Sequence, residues 1–178
     1  MPIVIVATPG ASDANSYADL AEADAFAETR IGAQAAAWFA STDTDAKARA
    51  LITATRDIDS IPSLEVDFYG ARATDTQSLE FPRDSDGGVL PQRLIDATIE
   101  LAIIYLANPA ASDPLNPSFN DKKKVQSGDD SVEWFAPPKE DIALSITRFP
   151  AIVQRLLGPL LVWLTVSNWG SGTAIRVS

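Results

Sequence analysis

The sequence predicts a mainly α protein, namely a small helical bundle of about four helices with a protruding β-hairpin arm and an extended C-terminal tail. Three observations support this prediction. Apolar residues recur at helical spacing in three long segments, a turn signal separates two short alternating segments, and a Gly-Ser spacer precedes the last residues. With 178 residues, 46% of them hydrophobic, the chain can bury a substantial core.

The first helix is predicted over about 17–31. Ser16 precedes Asp19 by three residues, which is the pattern of an N-terminal cap, and apolar residues then follow at helical spacing. Gly32 stands where the pattern stops and is typical of a helix end. The segment therefore predicts a capped amphipathic helix.

Two further helices and a long loop are predicted between the end of the first helix and about residue 107. An alanine-rich turn containing Trp38 and Phe39 leads into a second helix over about 44–60, which begins with acidic residues. Aromatic and glycine-rich pieces over 63–88 indicate an ordered loop. Pro91 then has the position of a first helical residue, and the third helix continues to about residue 107 with apolar residues on more than one face. We expect this helix to be the most buried.

The C-terminal part divides into shorter pieces. Three prolines mark a linker, and two alternating segments around Ser127-Gly128-Asp129-Asp130 predict the hairpin. A helix from about 150 is expected to kink or end near Gly158-Pro159. The predicted organisation is a helical core over 1–108, a Pro-rich linker over 109–120, the arm over 121–136, a helical segment completing the bundle over 137–168 and an extended tail over 169–178.

Charge is distributed unevenly along this acidic chain. The formal net charge is -10, and the first 108 residues carry all of it, whereas residues 109–178 contain equal numbers of acidic and basic residues. An acidic surface repels a phosphate backbone, and nucleic-acid-binding proteins usually present a basic stripe. Lasting nucleic-acid binding through the first 108 residues is therefore not expected.

The residues for common catalytic and metal-binding chemistry are missing or misplaced. The chain contains no histidine and no cysteine, which excludes zinc sites and histidine-based triads. Asp84 and Asp86 have the first spacing of an EF-hand loop, but position 12 of such a loop would be Ile95. The apolar runs are too short for a signal peptide or a membrane span. We expect no catalytic residues, no cofactor, no metal and no membrane contact.

Several segments follow one another in an order that resembles a known family. They are "SYADLAEADAF", "ALITATRDID", "YGARATDTQSLEFPR", "PQRLIDATIELAIIYLA", "KKVQSGDDSVEWF" and "IVQRLLGPLL". Proteins of tailed phages with this order often carry the label DnaT-like single-stranded DNA-binding protein. The order is also similar to that of the head-completion, or head-tail connector, adaptors of tailed phages. The resemblance covers roughly residues 15–162, and its most specific pieces are the Ser16-Tyr17 start and Ser78–Arg83, where Phe81 replaces the more frequent Trp.

The resemblance to the adaptors implies a structural protein of the virion neck, assembled in the host cytoplasm. It implies a ring of copies, usually twelve, beneath the portal protein, with a tail or stopper/terminator protein docking below. Genomic double-stranded DNA would pass through the lumen without specific binding, which an acidic body would favour. The alternative is a single-stranded DNA-binding protein of the DnaT-like type, and an enzyme with no recognised motif is a third, weaker possibility.

Two groups of residues are predicted to contact partners. On the arm, we expect protein contacts from Lys122, Lys123, Lys124 and Trp134. On the tail, we expect portal contacts, by strand addition, from Trp169, Thr173, Ile175, Arg176 and Val177. The same lysines beside an aromatic residue could instead bind a nucleic acid, or form an ordinary solvated charge run. Three other aromatic residues lie on apolar segments and are expected in the core: Trp38, Tyr105 and Trp163.

Overall fold

A computed structural model describes residues 2–62, 66–112, 122–127, 130–135, 146 and 148–164 of the chain. The described residues are mainly helical, with a small antiparallel hairpin, which confirms the predicted fold class. The predicted tail over 169–178 lies outside them, and the domain boundaries stay predictions. The helices are α1 (Leu20–Glu28), α2 (Ala33–Ala40), α3 (Thr44–Asp59), α4 (Gln92–Ala107) and α5 (Ala151–Leu157); the strands are β1 (Val66–Phe68), β2 (Lys122–Ser127), β3 (Asp130–Phe135) and β4 (Leu161–Trp163).

Helix α1 begins three residues later than the sequence pattern predicts. Asp19, not Ser16, is the cap: its carboxylate accepts from the Glu22 N–H at 2.8 Å, and the Glu22 carboxylate accepts from the Asp19 N–H at 2.9 Å. This reciprocal pair satisfies two amides that a helix start leaves free. Ser16 is buried and bonds to Ala18 instead. Ser16 with Asp19 and Asp19 with Glu22 both have the spacing of a cap and a third helical residue. Only Asp19 with Glu22 places a glutamate at that third position.

The alanine-rich segment predicted as a turn is helix α2. Alanine has the highest intrinsic helix propensity, and the segment contains five alanines among its eight residues. Trp38 fixes the helix to the body because its ring is fully buried and its Nε1 donates to the Asp24 carboxylate at 2.7 Å. The turn prediction was wrong because an almost uniformly apolar segment shows no periodic contrast.

Helices α3 and α4 form the centre of the body. Asp43 caps α3 by accepting from the Ala46 N–H at 3.0 Å, and the bounds of α3 match the prediction within one residue. Pro91 lies just before α4 instead of within it. Helix α4 packs on α3, α2, α1 and α5, as expected for the most buried helix. Its buried residues are Leu94, Ala97, Thr98, Ile99, Glu100, Leu101, Ala102, Ile103 and Tyr105.

A second small sheet closes the body at its C-terminal side. Helix α5 ends at Gly158-Pro159, as predicted, and the chain then pairs β4 with β1 in antiparallel register, with Trp163 opposite Val66. Val66 is fully buried, whereas Trp163 is 58% exposed. The expectation that Trp163 lies in the core was therefore wrong: the proline stops the helix, and the residue lies at the end of a strand. Trp38 and Tyr105 are buried as predicted.

The hairpin has the register that its turn signal predicts. Ser127 pairs with Asp130, so the strands are joined by a two-residue connection, and the pairing continues to Lys122 opposite Phe135. Among the described elements, β2 and β3 pack extensively only on each other.

Candidate functional site

The two most specific sequence motifs contact each other in the body. The Phe81 ring lies edge-on to the Tyr17 ring, with centroids 6.1 Å apart, and the Phe81 N–H donates to the Tyr17 hydroxyl oxygen at 3.2 Å. Phe68 packs against the other side of Phe81 at 4.8 Å. Both Tyr17 and Phe81 are 1% exposed. The "SLEFPR" segment is therefore fixed to the N-terminal motif by packing and by a buried hydrogen bond.

A carboxylate at the end of α3 completes this contact. The Tyr17 hydroxyl donates to Asp59, and the Glu80 N–H donates to the same carboxylate at 3.4 Å. Burial raises the pKa of Asp59 to about 6, although the hydrogen bond from Tyr17 acts in the opposite direction. Burial, together with the Asp59 charge, also raises the pKa of the Tyr17 hydroxyl. Tyr17 and Asp59 thus join three parts of the chain by hydrogen bonds: the N-terminal motif, the end of α3 and the "SLEFPR" segment.

Arg83 holds the other end of the motif. Its guanidinium lies 5.1 Å from the ring centroids of both Phe68 and Phe81, and its Nη2 donates to the Glu80 carboxylate at 2.9 Å. The side chain is 5% exposed, so this cation does not reach solvent as a free surface charge. We use the name Phe81 cluster for Tyr17, Asp59, Phe68, Phe81 and Arg83.

The Phe81 cluster is suited to holding segments together. Its carboxylate and cation are hydrogen-bonded within the body. Tyr17, Phe81 and Arg83 lie in the two most specific sequence motifs and Asp59 lies in the "ALITATRDID" segment, but the contacts between them were not predicted. One signal was available: Asp57 and Asp59 lie in the last turn of α3, where the helix dipole disfavours acidic residues, so each needs a specific partner. The partners are Tyr105, whose hydroxyl donates to Asp57 at 2.6 Å, and Tyr17.

The helical body pairs most of its own basic residues. Among the described residues, four of the seven basic residues in 1–108 form ion pairs with acidic residues of the body. The most buried acid among them is Glu100, which is 4% exposed and accepts from Arg30 at 2.6 Å. Lys47 lies 2.9 Å from Asp24 and 5.1 Å from the centroid of the Trp38 ring. Burial would raise the pKa of Asp24, but hydrogen bonds from Lys47 and Trp38 lower it.

The described surface of the body offers few aromatic rings. Only Phe39, at 47% exposure, and Trp163, at 58%, are large exposed aromatic residues in the part of the chain that the structure describes. Each single-stranded DNA base that a protein binds without sequence preference usually stacks on such a ring beside a basic groove. The described surface of the body thus shows no row of exposed aromatic rings on which successive bases could stack.

The predicted arm residues lie on paired strands. Lys123 stands opposite Trp134, Lys124 opposite Glu133, and Lys122 opposite Phe135. The predicted tail contacts from Trp169 to Val177 lie outside the described residues.

Two common kinds of functional feature are absent from the described residues. No group of three or more acidic, histidine or cysteine side chains could hold a metal ion there. None of the described helices is both long enough and apolar enough to span a bilayer.

Together these features define a mainly α fold with an acidic body that pairs four of its basic residues with its own acids, joined to a hairpin whose first strand begins with three lysines. The chain belongs to the family described as "Putative DnaT-like ssDNA binding protein", whose model matches residues 1–177. No curated protein and no solved structure matches the chain significantly.

Proposed function

We propose that this protein is a structural adaptor of a tailed-phage neck, a head-tail connector without a catalytic role or cofactor. The observation that carries the proposal is the self-contained body: its net charge is negative, four of its seven basic residues are paired internally, and its aromatic residues are mostly buried. Such a body suits contact with DNA that must slide past without sticking, because like charges lower adhesion.

In this proposal, twelve copies of the chain form a ring under the portal protein. The ring extends the DNA channel and provides the docking surface for a tail or stopper/terminator protein. The lysines of β2 are suited to an acidic flank of a neighbouring protein, where charges at a rim set register and association rate more than affinity. The protein would assemble in the host cytoplasm and remain in the neck of the virion.

The second candidate is single-stranded DNA binding, and the family description favours it. That description names single-stranded DNA and does not name a connector. For this function the hairpin is the best-placed element, because β2 begins with Lys122, Lys123 and Lys124, and Trp134 stands opposite Lys123. The acidic body would contribute little to such binding.

Fluorescence anisotropy with a labelled single-stranded oligonucleotide separates the two functions. The adaptor proposal expects weak binding at 50 mM salt that vanishes at 200 mM. Tight binding that weakens steeply with salt, and is lost in a Lys122→Glu, Lys123→Glu, Lys124→Glu variant, would favour the second candidate. The matched control is Arg93→Glu, which reverses an exposed charge on the body.

The attachment role of the tail has its own test. Removing residues 173–178 is expected to leave the unfolding midpoint unchanged and to abolish co-sedimentation with portal rings. Undiminished co-sedimentation of the truncated protein would rule out the assigned tail contacts.

A further inference from the structure

The N-terminal segment over residues 2–8 is held along one of its two edges. The Asn15 side chain donates from Nδ2 to the Val4 carbonyl at 3.0 Å and accepts at Oδ1 from the Val6 N–H at 2.9 Å. The Asn15 N–H also donates to the Val6 carbonyl at 2.9 Å. Bonds to residues two apart on one side are the pattern of an extended strand, with Asn15 acting as its neighbour.

The opposite edge of the same segment is open. In an extended backbone the intervening residues present their N–H and C=O groups to the other side. Ile3 uses its N–H there to donate to Asp45 at 2.9 Å, but the backbones of Ile5 and Ala7 have no hydrogen-bond partner among the described residues. The backbones of Ile5 and Ala7 therefore form an unpaired edge in a segment that is rich in β-branched residues. Such an edge is a template for pairing with another strand.

Asn15 makes this edge more receptive to a partner. It fixes the segment in extended form before any partner arrives, so binding costs less ordering of the chain. The occupant must be an extended peptide, because only a backbone can supply alternating donors and acceptors at strand spacing. It must also tolerate an acidic neighbourhood, since Asp45 lies at the edge and the body is strongly negative.

One segment of the chain outside the described residues has these properties. The sequence predicts an extended stretch over Thr173–Val177, with β-branched residues at alternating positions. Arg176 is the one charged residue after Arg155, so the stretch is basic where the edge is acidic. Fourteen residues follow Leu164, and fully extended they span roughly 46 Å.

We propose that the open edge at Ile5 and Ala7 accepts Thr173–Val177 as an added β-strand, from the same chain or from a neighbouring copy. The backbone bonds supply the affinity, and the attraction of Arg176 to the acidic edge supplies the preference for this segment. The proposal gives the tail an acceptor within the protein itself. A tail strand that is paired with this edge cannot pair with a portal at the same time, so the portal contacts proposed above require its release from the edge.

The test uses the chain truncated after residue 172 and a fluorescent peptide of residues 171–178. Anisotropy is expected to show saturable binding. At 90% saturation, hydrogen exchange of the Ile5 and Ala7 amides, followed by NMR, is expected to slow about tenfold, because paired amides exchange only from the free state. A peptide with Arg176→Glu is expected to bind more weakly.

A matched pair of exposed valines provides the control. Val4 is 69% exposed on the segment, and Val89 is 67% exposed elsewhere on the body. Val4→Lys places a like charge beside the incoming Arg176 and is expected to weaken binding about threefold, whereas Val89→Lys should leave it unchanged. Absence of saturable binding, binding without slowed exchange at Ile5 and Ala7, or equal effects of the two substitutions would overturn the proposal.

Discussion

The helical body and the hairpin arm differ in the contacts that hold each of them together. In the body, charged groups pair with each other, helix starts are capped by Asp19 and Asp43, and the Phe81 cluster joins distant segments. The hairpin strands pack extensively only on each other among the described elements. An isolated two-stranded hairpin is marginally stable in water. We therefore expect the body to account for most of the stability of the described fold, and the hairpin for little of it.

The largest effect is expected at the Phe81 cluster. Phe81→Ala removes a fully buried ring that three aromatic neighbours contact, so the free energy of unfolding should fall by about 3–5 kcal/mol. Urea denaturation measures this loss. Phe39→Ala, at a half-exposed position, should cost less than about 1 kcal/mol. Similar losses for both substitutions would mean that the cluster does not organise the body.

A smaller loss is expected when the buried ion pair is broken. Arg30→Ala leaves the carboxylate of Glu100, 4% exposed, without its cation, which should cost about 2–3 kcal/mol in urea denaturation. The control is Arg49→Ala, because Arg49 and Asp43 are both more than half exposed and such pairs contribute less than about 1 kcal/mol. Equal costs would show that burial of Glu100 is unimportant.

The buried carboxylate of Asp59 should make stability depend on pH. Its folded pKa is about 6, above the ordinary value of 3.8, so the folded state binds the proton more tightly. The contribution of this group to stability is therefore fully present below about pH 4 and is lost as the pH rises through 6. Asp59→Asn should remove about one proton from the pH slope of unfolding between pH 4 and 6. An unchanged slope in this variant, matching that of Asp75→Asn, would contradict the assignment.

The smallest effect on folding is expected on the arm. Reversing the charges of Lys122, Lys123 and Lys124 should change the free energy of unfolding of the body by less than about 0.5 kcal/mol, because β2 packs extensively only on β3 among the described elements. The same variant should assemble or dock poorly. A cooperative loss of stability in calorimetry would show that the arm belongs to the folding unit of the body.

The sequence predicted the elements that carry their own local signals. Helix α3 has an acidic cap and a clear apolar face, and the hairpin has its turn residues between alternating segments. Predictions from the sequence were wrong where contacts between distant residues determine the structure. Helix α2 depends on the burial of Trp38 against α1, and the position of Trp163 depends on a strand pairing with residues almost a hundred positions earlier.

The candidate sites divide in the same way. The lysines of the arm are visible as a run in the sequence, and the register of β2 and β3 then places them. The position of Asp59 at the end of α3 indicates that it needs a partner, but the partners of Asp59 and Arg83 could not be predicted, because they come from separate segments that only the fold brings together. The open edge beside Asn15 likewise depends on hydrogen bonds that no local pattern specifies.

Electron microscopy of the purified protein mixed with its cognate portal tests the adaptor function most directly. For an adaptor we expect a ring of added density beneath the portal, with the channel continuing through it and copies of the chain in contact with one another. Portals that remain bare at saturating protein, in a sample that binds a single-stranded oligonucleotide tightly and with steep salt dependence, would contradict it.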